Sequence, residues 1–99
     1  MSQKVYKHYQ MKAKAAWYEL SDDERRQLLA RIEEALEQVG GRSILVCFSA
    51  WNNEQVEYWG VEEFPDLDAV LSLAQIHEEI NWYRYVESKT LLGTALPQI

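Results

Sequence analysis

His8 and His77 are the only histidines of this chain, and so the two side chains that can exchange a proton near neutral pH without a strongly shifted pKa. His8 is the expected general base, with Arg84 as its polar companion in orienting a ligand. His77, read as a surface position of its helix, is the weaker candidate. His77-Glu78-Glu79 does not have metal-ligand spacing, because adjacent helical residues diverge by about 100° and cannot close on one ion. Neither a metal nor a cofactor is expected. Four tryptophans and six tyrosines supply walls for a flat ligand. Trp51 with Asn52 and Asn53 sets amides beside a ring, and Trp82 with Arg84 sets a guanidinium there. Trp59 and Tyr85 complete the expected pocket. If Trp82–Glu87 is a strand, Trp82 and Arg84 share one face and Tyr83 and Tyr85 the other. The first pair is preferred for the cavity, and an inward Arg84 then needs Glu57, Glu62 or an anionic ligand to compensate its charge. Nucleotide, acyl-serine and zinc-ribbon chemistry find no support, since no Gly-x-Gly-x-x-Gly, Walker loop, Gly-x-Ser-x-Gly or Cys-x-x-Cys occurs.

Positioning these residues falls to a chain organised around Ile44–Phe64. There two β-rich runs flank the polar segment Asn52-Asn53-Glu54-Gln55 and read as a hairpin. Upstream, Val5–Lys14 alternates as a strand, and Ala15–Leu20 is a connection whose Trp17 and Leu20 fold back on the core. Ser21-Asp22-Asp23-Glu24 has the form of a capping box, followed by an apolar stripe of Leu28, Leu29, Ile32, Ala35, Leu36 and Val39. Gly40 is expected in the left-handed conformation that ends this helix. Downstream, Asp66 caps a second helix whose stripe runs through Leu67, Val70, Leu71, Ala74 and Ile80, and Asn81 ends it. Trp82–Glu87 is the fourth strand. The apolar remainder, Leu91–Ile99, reads as an arm reaching onto a partner subunit. The order is β-α-β-β-α-β.

Ninety-nine residues support one core, so residues 1–99 form a single domain. With 47% hydrophobic residues, disorder is excluded on composition. Sixteen acidic against ten basic residues give a net charge of −6, which disfavours nucleic acid and anionic membranes as partners. A lone Cys47 cannot form an internal disulfide, and it suits a small buried thiol in a reducing compartment. Without an apolar stretch near the N-terminus or a run of roughly 18 apolar residues, a soluble cytoplasmic protein is expected. Both faces of the Ile44–Ser49 run are apolar, yet two helices can cover only one face of a four-stranded sheet. A homodimer is the expected solution.

The motif Lys12-Ala13-Lys14-Ala15-Ala16-Trp17, the Ser21-led helix with Arg25, Phe64-Pro65-Asp66 and Trp82-Tyr83-Arg84-Tyr85 together resemble a small bacterial family of unknown function. That family lies within the dimeric α+β-barrel superfamily of ferredoxin-like domains. The resemblance implies an α+β fold with a four-stranded antiparallel sheet, two helices on one face and two sheets packed face to face. The superfamily contains cofactor-free monooxygenases, lactone isomerases, haem-handling enzymes and domains with no assigned activity. A histidine near the start of the first strand, as in Lys7-His8, is similar to that of stress-responsive barrels and polyketide-cyclase-like members. The functional expectation is a homodimeric barrel that binds, and in its stronger form transforms without cofactor, a small planar or phenolic metabolite. The alternative is a non-catalytic structural or interaction module whose aromatics serve only core and dimer interface.

Overall fold

The computed structural model describes residues 3–97. Strand β1 (Val5–Ala13) runs into a single short helical turn, α1 (Ala15–Tyr18), and then helix α2 (Asp22–Gln38). Strands β2 (Arg42–Phe48) and β3 (Tyr58–Phe64) follow, then helix α3 (Leu67–Glu79), a 3₁₀ turn at Trp82–Arg84, and strand β4 (Val86–Gly93). All pairings are antiparallel, and the spatial order is β2-β3-β1-β4. This is the ferredoxin-like α+β arrangement.

Local chemistry accounts for most boundaries. The Ser21 hydroxyl accepts from the Glu24 amide at 3.1 Å, and the Glu24 carboxylate accepts from the Ser21 amide at 2.9 Å, which completes the capping box of α2. Asp66 caps α3 by accepting from the Ala69 amide at 2.8 Å. Gly40 at φ 81° and Asn81 at φ 59° supply the left-handed residues that end the two helices.

Three expectations are corrected. Ala15–Tyr18 is a helical turn rather than irregular chain, although Trp17 and Leu20 do pack on the core. The hairpin connection extends over Ser49–Glu57, with the Asn53 carboxamide accepting from the amides of Gln55 and Val56. The fourth strand does not begin at Trp82. Trp82–Arg84 forms a 3₁₀ turn because Trp82 folds back into an apolar cluster with Leu28 and Val86, a burial that overrides the β propensity of the aromatic run. Leu91 and Leu92 therefore belong to β4 and not to an arm; beyond the strand, 94–97 carry no regular structure, and Gln98 and Ile99 lie outside the described residues.

Register fixes the two faces of the sheet. Val5, Lys7, Tyr9 and Met11 of β1 pair with Phe64, Glu62, Gly60 and Tyr58 of β3, and these residues face the helices. Two apolar clusters form there. One gathers Val5, Ala35, Phe64, Ala69, Val70 and Leu73; the other gathers Leu28, Trp82 and Val86 with Met11, Trp17 and Ile32 against them. The opposite face carries a cross-strand row of Leu45, Val61, His8 and Leu91, beside Cys47 and Trp59. No helix of the described residues covers that row, and Leu91 is 71% exposed. Strand β2 is a sheet edge with Ile44, Leu45, Val46 and Phe48 all exposed, so its expected burial on both faces is not met within one chain.

Candidate functional site

Between the two apolar clusters, the helix-facing side of the sheet carries a polar layer. Lys7 and Glu62 stand opposite each other on β1 and β3, and their side chains form an ion pair at 3.7 Å with little solvent exposure. The next row holds Tyr9 opposite Gly60. Glycine is required there: a Cβ on residue 60 would lie 2.5 Å from the Tyr9 hydroxyl and 2.7 Å from the Leu45 carbonyl oxygen, so the phenol lies across the neighbouring strand where a side chain would stand. From above, α3 contributes His77, one helical face with Val70 and Leu73 and 6% exposed. Both ring nitrogens of His77 are buried without a hydrogen-bond partner among the described residues. The Tyr83 ring packs edge-on against the imidazole at 6.1 Å. These groups and Ser88 surround an inner chamber of about 70 Å³.

Burial sets the protonation of this layer. Desolvation, assisted by the Lys7 charge, pushes the His77 pKa down to about 4, so the imidazole is neutral at neutral pH. Desolvation also raises Glu62 against the opposing pull of Lys7. Tyr9 is raised by burial and the Glu62 charge, and Tyr83 by burial and the charges of Glu78 and Glu62.

Met11 and Trp82 line this chamber and also a second, larger one of about 440 Å³. The outer chamber lies between α1–α2 and the sheet, and its walls are mainly apolar: Met11, Trp17, Tyr58, Trp82 and Val86, with Val46 at the sheet edge. Trp17 and Trp82 meet edge to face at 6.3 Å. Arg25 holds this wall in place. Its guanidinium donates to the carbonyls of Trp17 and Tyr18 and sits 5.9 Å from the Trp17 ring centre, fastening α1 to α2. Glu57 is fixed at the rim, where its carboxylate accepts from the Ala13 amide at 2.7 Å.

The residues expected to share one pocket are divided by the fold. Trp82 lines both chambers, and Tyr85 packs half-buried beside it. His8 lies on the opposite face of the sheet with Trp59, their ring centres 5.7 Å apart. Trp51 is 78% exposed in the β2–β3 connection, its indole N–H donating to the Phe48 carbonyl, and Asn52 is exposed beside it. Arg84 is exposed, because a 3₁₀ turn does not send residues 82 and 84 to one side. Neither expected pair is kept together: Trp82 lines both chambers and Tyr83 the inner one, Tyr85 lines neither, and Arg84 is exposed with no ion pair to Glu57 or Glu62. His77, expected on the helix surface, is buried instead. The missed signal was its spacing, four residues beyond Leu73 and seven beyond Val70, on the inward stripe. Cys47 is half-buried. Among the described residues, no three His, Cys, Asp or Glu side chains gather as a metal site. No helix of the described residues is long and apolar enough to cross a membrane.

An antiparallel four-stranded sheet in this order, with helices on one face and a cavity beneath them, defines a ferredoxin-like α+β domain. Residues 5–98 match a family of unknown function, DUF6616, and the chain belongs to that family. Among solved structures it is similar to the crystal structure of a chlorite dismutase-like protein, at 24% identity and a TM-score of 0.73. That likeness covers 98% of this chain and 47% of the other, so this chain spans about half the length of its structural neighbour, and what they share is the fold. No curated protein matches the sequence.

Proposed function

We propose that this protein binds a small planar or phenolic metabolite in the outer chamber, between the sheet and α1–α2, as a homodimer joined through the uncovered sheet face. The observation that carries the ligand reading is the chamber of about 440 Å³ walled by Met11, Trp17, Tyr58 and Trp82. That volume falls in the range of small-molecule sites, and the aromatic walls suit a flat ring. Cofactor-free transformation of that ligand is the stronger form of the reading, and the polar layer behind Trp82 is the place where it would occur. His8 is not part of this site; its position beside Trp59, Val61 and Leu91 suits an interface.

The test is tryptophan fluorescence with a panel of small hydroxylated aromatics, since Trp17 and Trp82 line the chamber. Saturable quenching in the parent and its loss in Ala13→Phe, which fills the chamber from β1, is the expected result. Absence of saturable quenching across the panel overturns it.

The row of exposed Leu45 and Leu91 with half-buried Val61 between them favours the companion reading of this face as a subunit interface. A stable dimer needs about 1,000 Å² or more of buried surface. Light scattering that returns only the 11.6 kDa monomer excludes it. If the dimer forms and no ligand binds, the non-catalytic interaction module is the reading that remains.

A further inference from the structure

The inner chamber differs from its apolar neighbour in having no use in packing. Filling rows 7, 62 and 77 with aliphatic side chains would join the two apolar clusters into one. Instead the chain keeps an ion pair, two phenols and an imidazole there. We infer that this chamber is a hydroxyl-binding subsite, which takes the un-ionised phenolic end of a ligand whose ring occupies the outer chamber. The inference rests on the outer chamber being the ligand site.

Charge accounting selects the ligand group. The titratable groups facing the chamber are Lys7 and Tyr9 from β1, Glu62 from β3, His77 from α3 and Tyr83 from the turn, while β4 contributes only Ser88. Lys7 and Glu62 cancel, burial keeps His77 neutral, and both tyrosines remain protonated. The layer therefore sums to zero. A carboxylate or phenolate brought into it would bury an uncompensated charge, whereas a hydroxyl would not. Hydrogen-bond inventory points the same way. A neutral imidazole offers one N–H and one lone pair, and a hydroxyl supplies the acceptor and donor that complement them. Size agrees as well: about 70 Å³ holds roughly two groups of water size, at about 30 Å³ each, which fits a hydroxyl and the ring edge that carries it. Met11 and Trp82, common to both chambers, stand where the ring would pass from one to the other.

The probes are 4-nitrophenol and 4-nitrotoluene, which differ only in the hydroxyl. Affinity is read by calorimetry and the ionisation of bound nitrophenol by its visible absorbance. The parent is expected to bind nitrophenol about tenfold or more tightly than nitrotoluene, the ratio worth one or more hydrogen bonds to buried partners. Nitrophenolate colour should fall as the complex forms. In His77→Phe the preference should shrink toward unity. In Glu62→Gln, where Lys7 is left without its partner, bound nitrophenol should shift toward the coloured phenolate. Equal affinities in the parent, or a rise in its colour on binding, overturn the subsite while leaving the outer chamber intact. Binding of neither probe, or binding that survives Ala13→Phe, overturns both. The parent measurements decide by themselves if Glu62→Gln fails to fold.

Discussion

Replacing His77 with phenylalanine should stabilise the protein at neutral pH and remove a defined part of its acid sensitivity. In the parent the imidazole is buried with two ring nitrogens lacking protein partners, and a buried unpartnered polar group costs about 1–3 kcal/mol. Phenylalanine keeps the ring contact with Tyr83, deletes both nitrogens and can extend into the adjoining chamber. A net gain of about 1–2 kcal/mol is expected after some cost of fitting the larger ring. In a domain of this size that raises Tm by about 4–8 °C per kcal/mol. The pH effect has a definite sign. His77 moves from 6.5 to about 4, so between those values the unfolded chain binds the proton that the folded chain refuses. The stability it contributes is complete above 6.5 and is lost as the pH falls through about 4. At about 1.4 kcal/mol per unit the shift corresponds to about 3 kcal/mol, an upper figure once relaxation is allowed. Glu62 acts oppositely: its raised pKa lets the folded state take up a proton first, so acid favours folding through that group. The difference between parent and variant cancels Glu62 to first order. Urea unfolding at fixed protein concentration, repeated across the window from 6.5 to about 4, reads that difference. Parallel stability curves for parent and His77→Phe would refute the argument, as would a variant less stable than the parent at neutral pH.

Three further outcomes follow from particular contacts. Gly60→Ala should cost about 2 kcal/mol or more, since its methyl meets both the Tyr9 phenol and the Leu45 carbonyl; urea unfolding measures it, and a neutral result removes the required close approach. Ser21→Ala should cost about 1 kcal/mol by opening the capping box, visible as a lower urea midpoint with unchanged slope. Lys7→Met should cost about 3–5 kcal/mol at neutral pH by leaving the Glu62 carboxylate unpaired, and part should return on acidification as that carboxylate protonates; loss that does not recover in acid contradicts the pairing.

Much of the architecture was legible because its signals are local. Ser21 and Glu24 define a helix start by hydrogen bonds three residues apart, and Gly40 and Asn81 mark ends by tolerating positive φ. The β-α-β-β-α-β order then follows from periodicity. The beginning of β4 was not legible, because Trp82-Tyr83-Arg84-Tyr85 has strand composition and it is packing with the distant Leu28, together with Val86, that pulls Trp82 out of it. The site was less legible than the fold for a related reason. Trp51, Asn52, Trp59, Arg84 and His8 are suitable ligand-binding types, but Trp51 and Asn52 fall in the β2–β3 connection, Arg84 falls in a 3₁₀ turn, and strand pairing turns His8 and Trp59 to the far face. A single strand pairing sends His8 with Trp59 to one side and Lys7 with Glu62 to the other.

The polar layer is the feature hardest to derive from the sequence, and its energetics explain why. Lys7 and Glu62 look like ordinary solvated charges of two strands, and charged residues are almost never buried unless paired. Their pairing is at best close to neutral for stability, and the imidazole above them is a net cost. A domain holds only about 5–15 kcal/mol in all, so one or two kcal/mol given up here is a large share. Elsewhere, caps stand where α2 and α3 start, Phe64 and Leu73 are fully buried in one core, and Trp82 with Leu28 is buried in the other, although that burial overrides the strand propensity of the Trp82 run and β2 leaves apolar side chains exposed. The costly buried ion pair and imidazole lie along one layer, at positions 7, 62 and 77, and that layer adjoins the aromatic chamber through Met11 and Trp82. Buried groups that cost stability, placed where a cavity meets them, are what the proposed binding site would require. Aliphatic substitution of all three positions should therefore yield a more stable protein with one continuous core, and the hydroxyl preference proposed for the polar layer should be lost with it.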